Sequence, residues 1–456
     1  MSSLKLFKAV TKNNKLNRYL NLVAQICLYA LINMSLYASN AMIMNIAVVM
    51  SIFYCIIADL ENTFSLIAGI SIYEGAFVLA DRSFAFVLLA IFIFKFLITN
   101  KGVVASKFYL FAALLSVIAL EFVADFGVVS YFEFAITLVY VFFAGYIMCN
   151  VDKLHVDVYN VLTSFCMSFT ICVVFVFSTY GGVGAYIDSF IGRSWAYRFA
   201  LDLARETGGA MAMPLYAIAI ISISIAILLT RKMSVSKTAF LIFAVAFSTA
   251  IGFLTVSRSF LLGLGVIALV AVLASLKYTK KHIDKTVLIF ALIIAVISIV
   301  MMCFPELVSK VADNFFNRID GDAGGGGRLE IWMACLDCLI SSPVHLIFGY
   351  GSIFYPSLGA GNGSLDMAAG AHNLIIDILM SWGIVGLIAA AVLLFGVLVL
   401  LRRYHNANKL VYYIPLAGYA AFAMTALRTT GLRTWVFLVL CIVAIKSLSE
   451  GKNRDS

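Results

Sequence analysis

Long apolar runs, separated by short polar segments, fill most of the sequence. A helix needs about 20 mostly apolar residues to cross the hydrocarbon core of a bilayer. By that measure the pattern predicts about fourteen membrane-spanning helices. They lie near residues 20–37, 41–58, 64–80, 84–99, 108–125, 131–149, 161–180, 210–229, 238–257, 259–276, 286–304, 376–401, 411–427 and 434–448. The chain is therefore expected to be an all-α polytopic membrane protein, with residues 1–456 forming one integral membrane domain.

The longest polar stretch, residues 305–375, is predicted to be a large loop that carries short amphipathic helices. Residues 306–318 place apolar side chains along one helical face. These side chains are Leu307, Val308, Val311 and Phe315. A glycine-rich run at 321–327 then precedes Arg328, where a second helix is expected to begin, and Pro343 is expected to end it. The apolar residues of this second helix are Leu329, Trp332, Met333, Leu336, Leu339 and Ile340.

Composition agrees with a membrane protein and excludes the main alternatives. Apolar residues make up 63% of the chain and charged residues 12%, against about 45–50% and about 25% in soluble domains. A soluble enzyme, a secreted disulfide scaffold and a disordered protein are excluded on this ground. The nine cysteines lie mostly within apolar runs, where they are expected to act as small apolar filler. The single Cys335-x-x-Cys338 has no second pair and no nearby histidine, so a zinc site is weakly supported.

The net charge of +9 is interpreted through the positive-inside rule and not as a sign of nucleic-acid binding. With both termini in the cytoplasm, alternation of the predicted spans puts most Lys and Arg residues in cytoplasmic segments. The positive charges left on the outer side are almost all arginine. They are Arg82, Arg193, Arg198, Arg205, Arg258, Lys310, Arg318, Arg328, Arg428 and Arg433.

Topology gives no reason to prefer arginine over lysine at the outer face. The guanidinium group is a planar fork that binds phosphate oxygens in bidentate fashion, so some of these arginines are expected to bind an anionic ligand. The alternative is that they anchor the interface or pair with Asp188, Asp202 or Glu206. Arg328 is the best placed, because free N–H groups at the start of a helix also favour an anion.

His372 is the one histidine of the chain expected at the outer membrane boundary. An imidazole has a pKa near 6.5 and is suited to act as a general base at neutral pH. The alternative is an interfacial histidine bonded to a backbone carbonyl.

The sequence between about 200 and 400 resembles the O-antigen polymerase and O-antigen ligase superfamily (Wzy- and WaaL-like). The resemblance rests on the order of several short pieces around one large outer loop. The pieces are Ser257-Arg258, Gly327-Arg328-Leu329-Glu330-Ile331-Trp332, Pro343, Gly349-Tyr350-Gly351, His372-Asn373 and Gly383-Ile384-Val385-Gly386. The resemblance implies a metal-independent glycosyltransferase of the bacterial inner membrane, with no cofactor and with its active site facing the periplasm.

Carried over residue by residue, the resemblance implies that Arg258 and Arg328 hold the diphosphate of an undecaprenyl-diphosphate-linked oligosaccharide. His372 would take the proton from the acceptor hydroxyl. Arg205 corresponds to a further outer arginine, with Gly208 and Pro214 following it, but Met213 stands where the family has Asn. No role is implied for Arg193, Arg198, Arg318, Arg428 or Arg433. Besides this substrate, the expected partners are the lipid bilayer and a chain-length regulator protein, with no nucleic acid.

Three functions remain open at this point. A polymerase that joins lipid-linked repeat units in lipopolysaccharide O-antigen biosynthesis is preferred, because ligases of this type usually have about twelve spans. A ligase that passes the glycan to lipid A core is the nearest alternative. A flippase or transporter of lipid-linked oligosaccharide is the third; Glu121, Asp125 and Glu133 lie in or near predicted spans, but no internal repeat is visible.

Overall fold

The computed structural model describes residues 14–73, 77–79, 82–100, 131–192, 212–277, 304–320, 328–350, 373–401, 409–425 and 431–451, with four isolated residues between 287 and 302. The predicted span near 108–125, most of that near 286–304 and the glycine-rich run at 321–327 lie outside these residues. His372, Arg205, Arg193, Arg198 and Arg428 also lie outside them, as do Glu121 and Asp125.

Helices dominate the described part of the chain. In order they are α1 (Asn14–Ala38), α2 (Ala41–Ile57), α3 (Leu60–Ile70), α4 (Ala85–Thr99), α5 (Tyr131–Cys149), α6 (Val158–Thr179), α7 (Val183–Gly192), α8 (Ala212–Thr230), α9 (Val235–Leu254), α10 (Arg258–Lys277), α11 (Pro305–Asp320), α12 (Arg328–Ile340), α13 (Pro343–Phe348), α14 (Leu374–Leu401), α15 (Lys409–Tyr412), α16 (Ile414–Ala423) and α17 (Leu432–Gly451). Two 3₁₀ turns occur, at Ser71–Tyr73 and Val151–Lys153. Strands β1 (Val78–Leu79) and β2 (Arg82–Ser83) form a two-residue antiparallel pair.

Six helices within the described ranges are long and apolar enough to cross a membrane. They are Asn17–Ala38, Val158–Thr179, Ala212–Thr230, Val235–Leu254, Leu374–Phe395 and Leu432–Glu450. Shorter apolar helices occupy Ala41–Ile57, Ala85–Thr99, Leu138–Cys149, Arg258–Ala274, Ile331–Ile340 and Ile414–Ala423. The fold is thus helical and of a membrane-protein type, whereas the number fourteen and the orientation of the termini stay predictions.

The prediction of a continuous span at 64–80 is wrong. Helix α3 ends at Ile70 and passes into the 3₁₀ turn, after which the chain forms the β1–β2 pair. The N–H of Ser71 is shared between the carbonyls of Ile67 and Gly69, and the Ser71 hydroxyl donates to the Ala68 carbonyl at 2.6 Å. These bonds tighten the last turn and satisfy carbonyls that a longer helix would have used.

The predicted span at 411–427 is divided as well. Helix α15 ends at Tyr412, and α16 begins at Ile414 with Pro415 in its first turn. Proline has no N–H to donate and its ring clashes with the carbonyl four residues earlier, so it starts a helix more readily than it continues one.

Helices α8 and α17 lie at the centre of the bundle, where almost all of their apolar residues are buried. Polar groups in this core are paired through hydrogen bonds between helices. The hydroxyls of Tyr29 and Ser164 are 2.8 Å apart, and the Asn33 amide donates to the Tyr73 hydroxyl at 2.7 Å. Because unpaired polar groups in an apolar interior are costly, these pairs fix how α1 packs against α6 and against the 3₁₀ turn after α3.

A polar cluster closes one end of the bundle, where α6 and α8 meet α17. Arg231 donates to the Asp157 carboxylate at 2.7 Å and to the Ser447 carbonyl at 2.8 Å. Glu61 accepts the backbone N–H of Asp157 at 2.8 Å and a bond from the Asn160 amide. Burial raises the pKa of the Glu61 carboxyl, and the two hydrogen bonds donated to it offset this increase only in part. The cluster ties four elements together at their ends.

Candidate active site

Arg258 is the first residue of α10 and follows a tight turn after α9. Val256 in this turn is buried and has a left-handed backbone with φ of 47°. The Ser257 carbonyl accepts the N–H groups of Phe260 at 3.1 Å and Leu261 at 3.3 Å. The Phe260 ring packs so closely on Gly252 that a Cβ there would lie under 3.0 Å from it. Packing and backbone together set where Arg258 lies, half-exposed at a helix start.

Helix α12 is described from Arg328, where the sequence predicts a helix to begin, and the residues just before Arg328 lie outside the described part of the chain. The helix ends at Ile340 and is followed by α13, which begins at Pro343. The preceding helix α11, also predicted, buries Leu307 and Phe315 in the main core. The two amphipathic helices expected in this loop are therefore confirmed. Whether Arg328 binds an anion stays a prediction.

Helices α12 and α13 pack on the first turns of α14. A small apolar cluster joins them, with Cys335 and Leu339 from α12 and Ile376 and Met380 from α14. Partly buried side chains surround it: Ile331, Trp332, Leu346, Tyr350 and Leu379. The loop helix that begins at Arg328 is thus held against the helix that follows His372.

Two glycines form the junction between α13 and α14. Gly349 has φ 81° and ψ −177°, and Gly383 has φ 64° and ψ −163°, which interrupts α14. A Cβ on Gly349 would lie under 3.0 Å from the backbone of Ser381 and Trp382. A Cβ on Gly383 would meet the Ile347 carbonyl as closely. Only glycine fits at either position, because of both the backbone conformation and the approach of the other chain segment.

Hydrogen bonds and a ring stack complete this junction. The Tyr350 N–H donates to the Met380 carbonyl at 2.7 Å, and the Tyr350 hydroxyl donates to the Cys338 carbonyl at 2.9 Å. The His345 ring stacks on Tyr350 with centroids 3.9 Å apart, and its Nδ1 lies 2.7 Å from the Ser342 hydroxyl. His345 therefore has a packing role where α12, α13 and α14 meet.

Asn373 caps the helix that follows His372. Its Oδ1 accepts the N–H groups of Ile375 at 3.0 Å and Ile376 at 3.4 Å, and its side chain is buried. This cap was not predicted from the sequence. The signal was present, since Asn immediately before an apolar helical run is a preferred N-cap. The cap fixes the backbone next to His372.

The described residues do not bring all the predicted site residues together. Helix α10 with Arg258 packs mainly on α16 and less closely on α15 and α8, whereas α12 with Arg328 packs on α13 and α14. Arg433 is the second residue of α17 and is half-buried. Among the residues that the structure describes, no three His, Cys, Asp or Glu side chains converge as metal ligands. Neither Cys335 nor Cys338 forms a disulfide bond.

Residues 243–391 match a family model described as O-antigen ligase. The matched segment contains Arg258, Arg328 and His372 but not Arg205. No curated protein matches the chain. The resemblance to the O-antigen polymerase and ligase superfamily is confirmed over this segment, and with it the expectation of an enzyme in general.

Proposed function

We propose that the protein is an O-antigen polymerase, a metal-independent glycosyltransferase that joins undecaprenyl-diphosphate-linked repeat units in lipopolysaccharide O-antigen biosynthesis. One observation carries the proposal. Within the segment matched to the O-antigen ligase family, Arg258 is the first residue of α10, and Arg328 is the residue from which α12 is described. A helix start and a guanidinium group favour the same ligand, a phosphate.

The chemistry needs this kind of site. As the glycosidic bond to the lipid diphosphate breaks, negative charge grows on the leaving phosphate. Donors held in position near that charge stabilise the transition state more than the ground state. A charge-assisted hydrogen bond contributes about 1.5–3 kcal/mol. Arg258 and Arg328, with Arg205 as a third ligand, would supply the stabilisation that a metal ion provides in other glycosyltransferases.

His372 is proposed as the general base that removes the proton from the acceptor hydroxyl while its oxygen attacks the anomeric carbon. His372 directly precedes Asn373, which is buried and caps α14. The site would face the periplasm from the inner membrane. A chain-length regulator is the proposed protein partner.

An O-antigen ligase is the second candidate, and the match to an O-antigen ligase family favours it. The number of spans does not favour the polymerase, since about fourteen spans are not confirmed. Chemistry does not separate the two, because both break the same lipid diphosphate bond. They differ in the acceptor, which is another repeat unit for the polymerase and lipid A core for the ligase.

A surface-glycan gel from a strain lacking the protein separates the candidates. Core capped with a single repeat unit is expected for a polymerase. Loss of all glycan from core, with long lipid-linked chains accumulating, would indicate a ligase, and loss of export without either would indicate a flippase.

Complementation of the same strain tests the residues. His372→Ala and Arg328→Ala are expected to abolish long glycan while the protein still reaches the membrane. Lys310→Ala, which removes a partly exposed positive charge from α11 of the same loop, serves as the matched control. Normal glycan length in either active-site variant would contradict the assignment.

A further inference from the structure

Helix α12 exposes an apolar stripe that contacts with the other described residues leave uncovered. Leu329 and Met333 are each 56% exposed, Leu336 is 40% exposed and Ile340 is 67% exposed. Their spacing puts them on one helical face, beside the face that carries Cys335 and Leu339 into the α14 contact. Asp337, also exposed, lies at the far edge of the stripe. Apolar side chains thus cover a much wider arc of α12 than the arc that packs on protein.

Helix α13, which packs on α12, also exposes apolar side chains. Val344 is 64% exposed, and Ile347 and Phe348 are 44% and 42% exposed. Contiguous exposed apolar patches of this kind are rare on the water-facing surface of soluble proteins and mark an interaction site. The two helices therefore form an apolar hairpin, 328–348, whose outer side needs a partner.

The position of the hairpin against α14 indicates which partner this is. Leu374–Phe395 is a candidate membrane span, and its outward side chains Ile375, Ile384 and Ile388 are 41%, 39% and 58% exposed. On a membrane span such residues face lipid. The end of α13 reaches Gly383, nine residues into α14 and about 14 Å along its axis. That distance is nearly half of a hydrocarbon core of about 30 Å.

We propose that the 328–348 hairpin is embedded in the bilayer leaflet beside α14, with the stripe on α12 in contact with lipid acyl chains. In lipid, every backbone N–H and C=O group must be hydrogen-bonded within the protein, and the helices of the hairpin meet this requirement through their own backbone hydrogen bonds. Just after the end of α13, the Tyr350 N–H donates a hydrogen bond to the Met380 carbonyl. Asp337 would mark the edge that faces water.

The lipid contact does not depend on the proposed function, but it adds to it. A lipid-embedded α12 would bring Arg328 to the leaflet in which a polyprenyl diphosphate resides. The substrate would then reach the arginine by lateral movement in the membrane. This consequence rests on the polymerase or ligase proposal, whereas the embedding is tested without any substrate.

The test uses fluorine NMR on the full-length protein in phosphatidylcholine nanodiscs. Trifluoromethyl-phenylalanine is placed at one position at a time: Met333, Leu336 or Ile340 on the stripe, Ile388 as the lipid-facing reference, and Asp337 and Asp313 as the water-facing references. Relaxation by dissolved oxygen, which concentrates in hydrocarbon, is compared with relaxation by a water-soluble nickel chelate. The labels need no change to the native cysteines.

The proposal expects stripe positions to show the high oxygen-to-nickel ratio of Ile388, and Asp337 to show the low ratio of Asp313. A low ratio at the stripe would overturn it, because the stripe would then face water. Protection of the stripe from both reagents would overturn it as well, since a second copy of the chain would then cover it. Three stripe positions guard against one variant that fails to fold.

Discussion

Replacing Gly383 with alanine should separate the loop hairpin from α14. At this position the backbone has φ 64° and ψ −163°, a region that is almost restricted to glycine. The added Cβ would also lie under 3.0 Å from the Ile347 carbonyl and the Phe348 nitrogen. Both obstacles involve backbone atoms, so rotation of a side chain cannot relieve them. Gly349→Ala meets the reciprocal obstacle at Ser381 and Trp382.

The expected loss of stability follows from the backbone conformation at Gly383 and from the close approach of the Ile347–Phe348 backbone. A residue held in a glycine-only backbone region costs about 1–3 kcal/mol, and insertion of a methyl group into a packed contact costs about 1–3 kcal/mol more. The docked hairpin should therefore be destabilised by about 2–6 kcal/mol. Since about 1.4 kcal/mol corresponds to a tenfold change in an equilibrium constant, the lower figure is already about 30-fold.

Amide hydrogen exchange in nanodiscs measures this opening directly. Exchange in peptides covering 343–350 should rise at least about 30-fold in Gly383→Ala, while α8 at the centre of the bundle stays protected. Gly265→Ala on α10 is the matched control, because a Cβ there meets no atom within 4 Å. Equal exchange at 343–350 in Gly383→Ala, Gly349→Ala and Gly265→Ala would refute the reasoning.

Three further outcomes are expected. Asn373→Ala should destabilise the start of α14 by about 0.5–2 kcal/mol and shorten surface glycan, whereas Asn373→Asp, which keeps a capping oxygen, should do neither; equal effects of the two substitutions would contradict the cap. Gly252→Ala should displace Phe260 and cost about 1–3 kcal/mol in thermal unfolding, with loss of glycan polymerisation because the turn before Arg258 moves; unchanged stability and glycan length would contradict it. Burial raises the pKa of the Glu61 carboxyl, so ionisation of Glu61 destabilises the folded protein as the pH rises through the raised pKa. The melting temperature of Glu61→Gln minus that of wild type should therefore be larger at pH 8 than at pH 5. A difference that becomes smaller with rising pH would contradict this prediction.

The sequence predicted the loop helices better than it predicted the spans. The helices beginning near residue 306 and at Arg328 follow from apolar spacing and from Pro343, which are local signals. The break after Ile70 and the division at Pro415 were missed because hydropathy averages over a window. Such an average does not register a hydroxyl that bonds a carbonyl, as Ser71 does, or a proline that restarts a helix.

The packing of the site was beyond sequence reasoning for a different reason. Gly349 and Gly383 belong to recognisable sequence motifs. Their structural role, however, is to let two backbone segments about 34 residues apart in sequence lie in contact. Local patterns do not encode which glycines meet. The apolar spacing along α12 likewise predicts one apolar face. In the structure one part of that face packs on α14 and the other part is the exposed stripe.

The central claim is that this chain itself joins lipid-linked repeat units through arginines that bind diphosphate. Its most direct test is the purified protein in proteoliposomes, supplied with an undecaprenyl-diphosphate-linked repeat unit in the presence of EDTA. The account predicts products that grow by whole repeat units with release of undecaprenyl diphosphate. In Arg328→Ala the rate should fall at least about 100-fold, which corresponds to the loss of two charge-assisted hydrogen bonds at about 1.5 kcal/mol each. Repeat units that remain unjoined by the wild-type protein, or an Arg328→Ala variant that joins them at the wild-type rate, would contradict it.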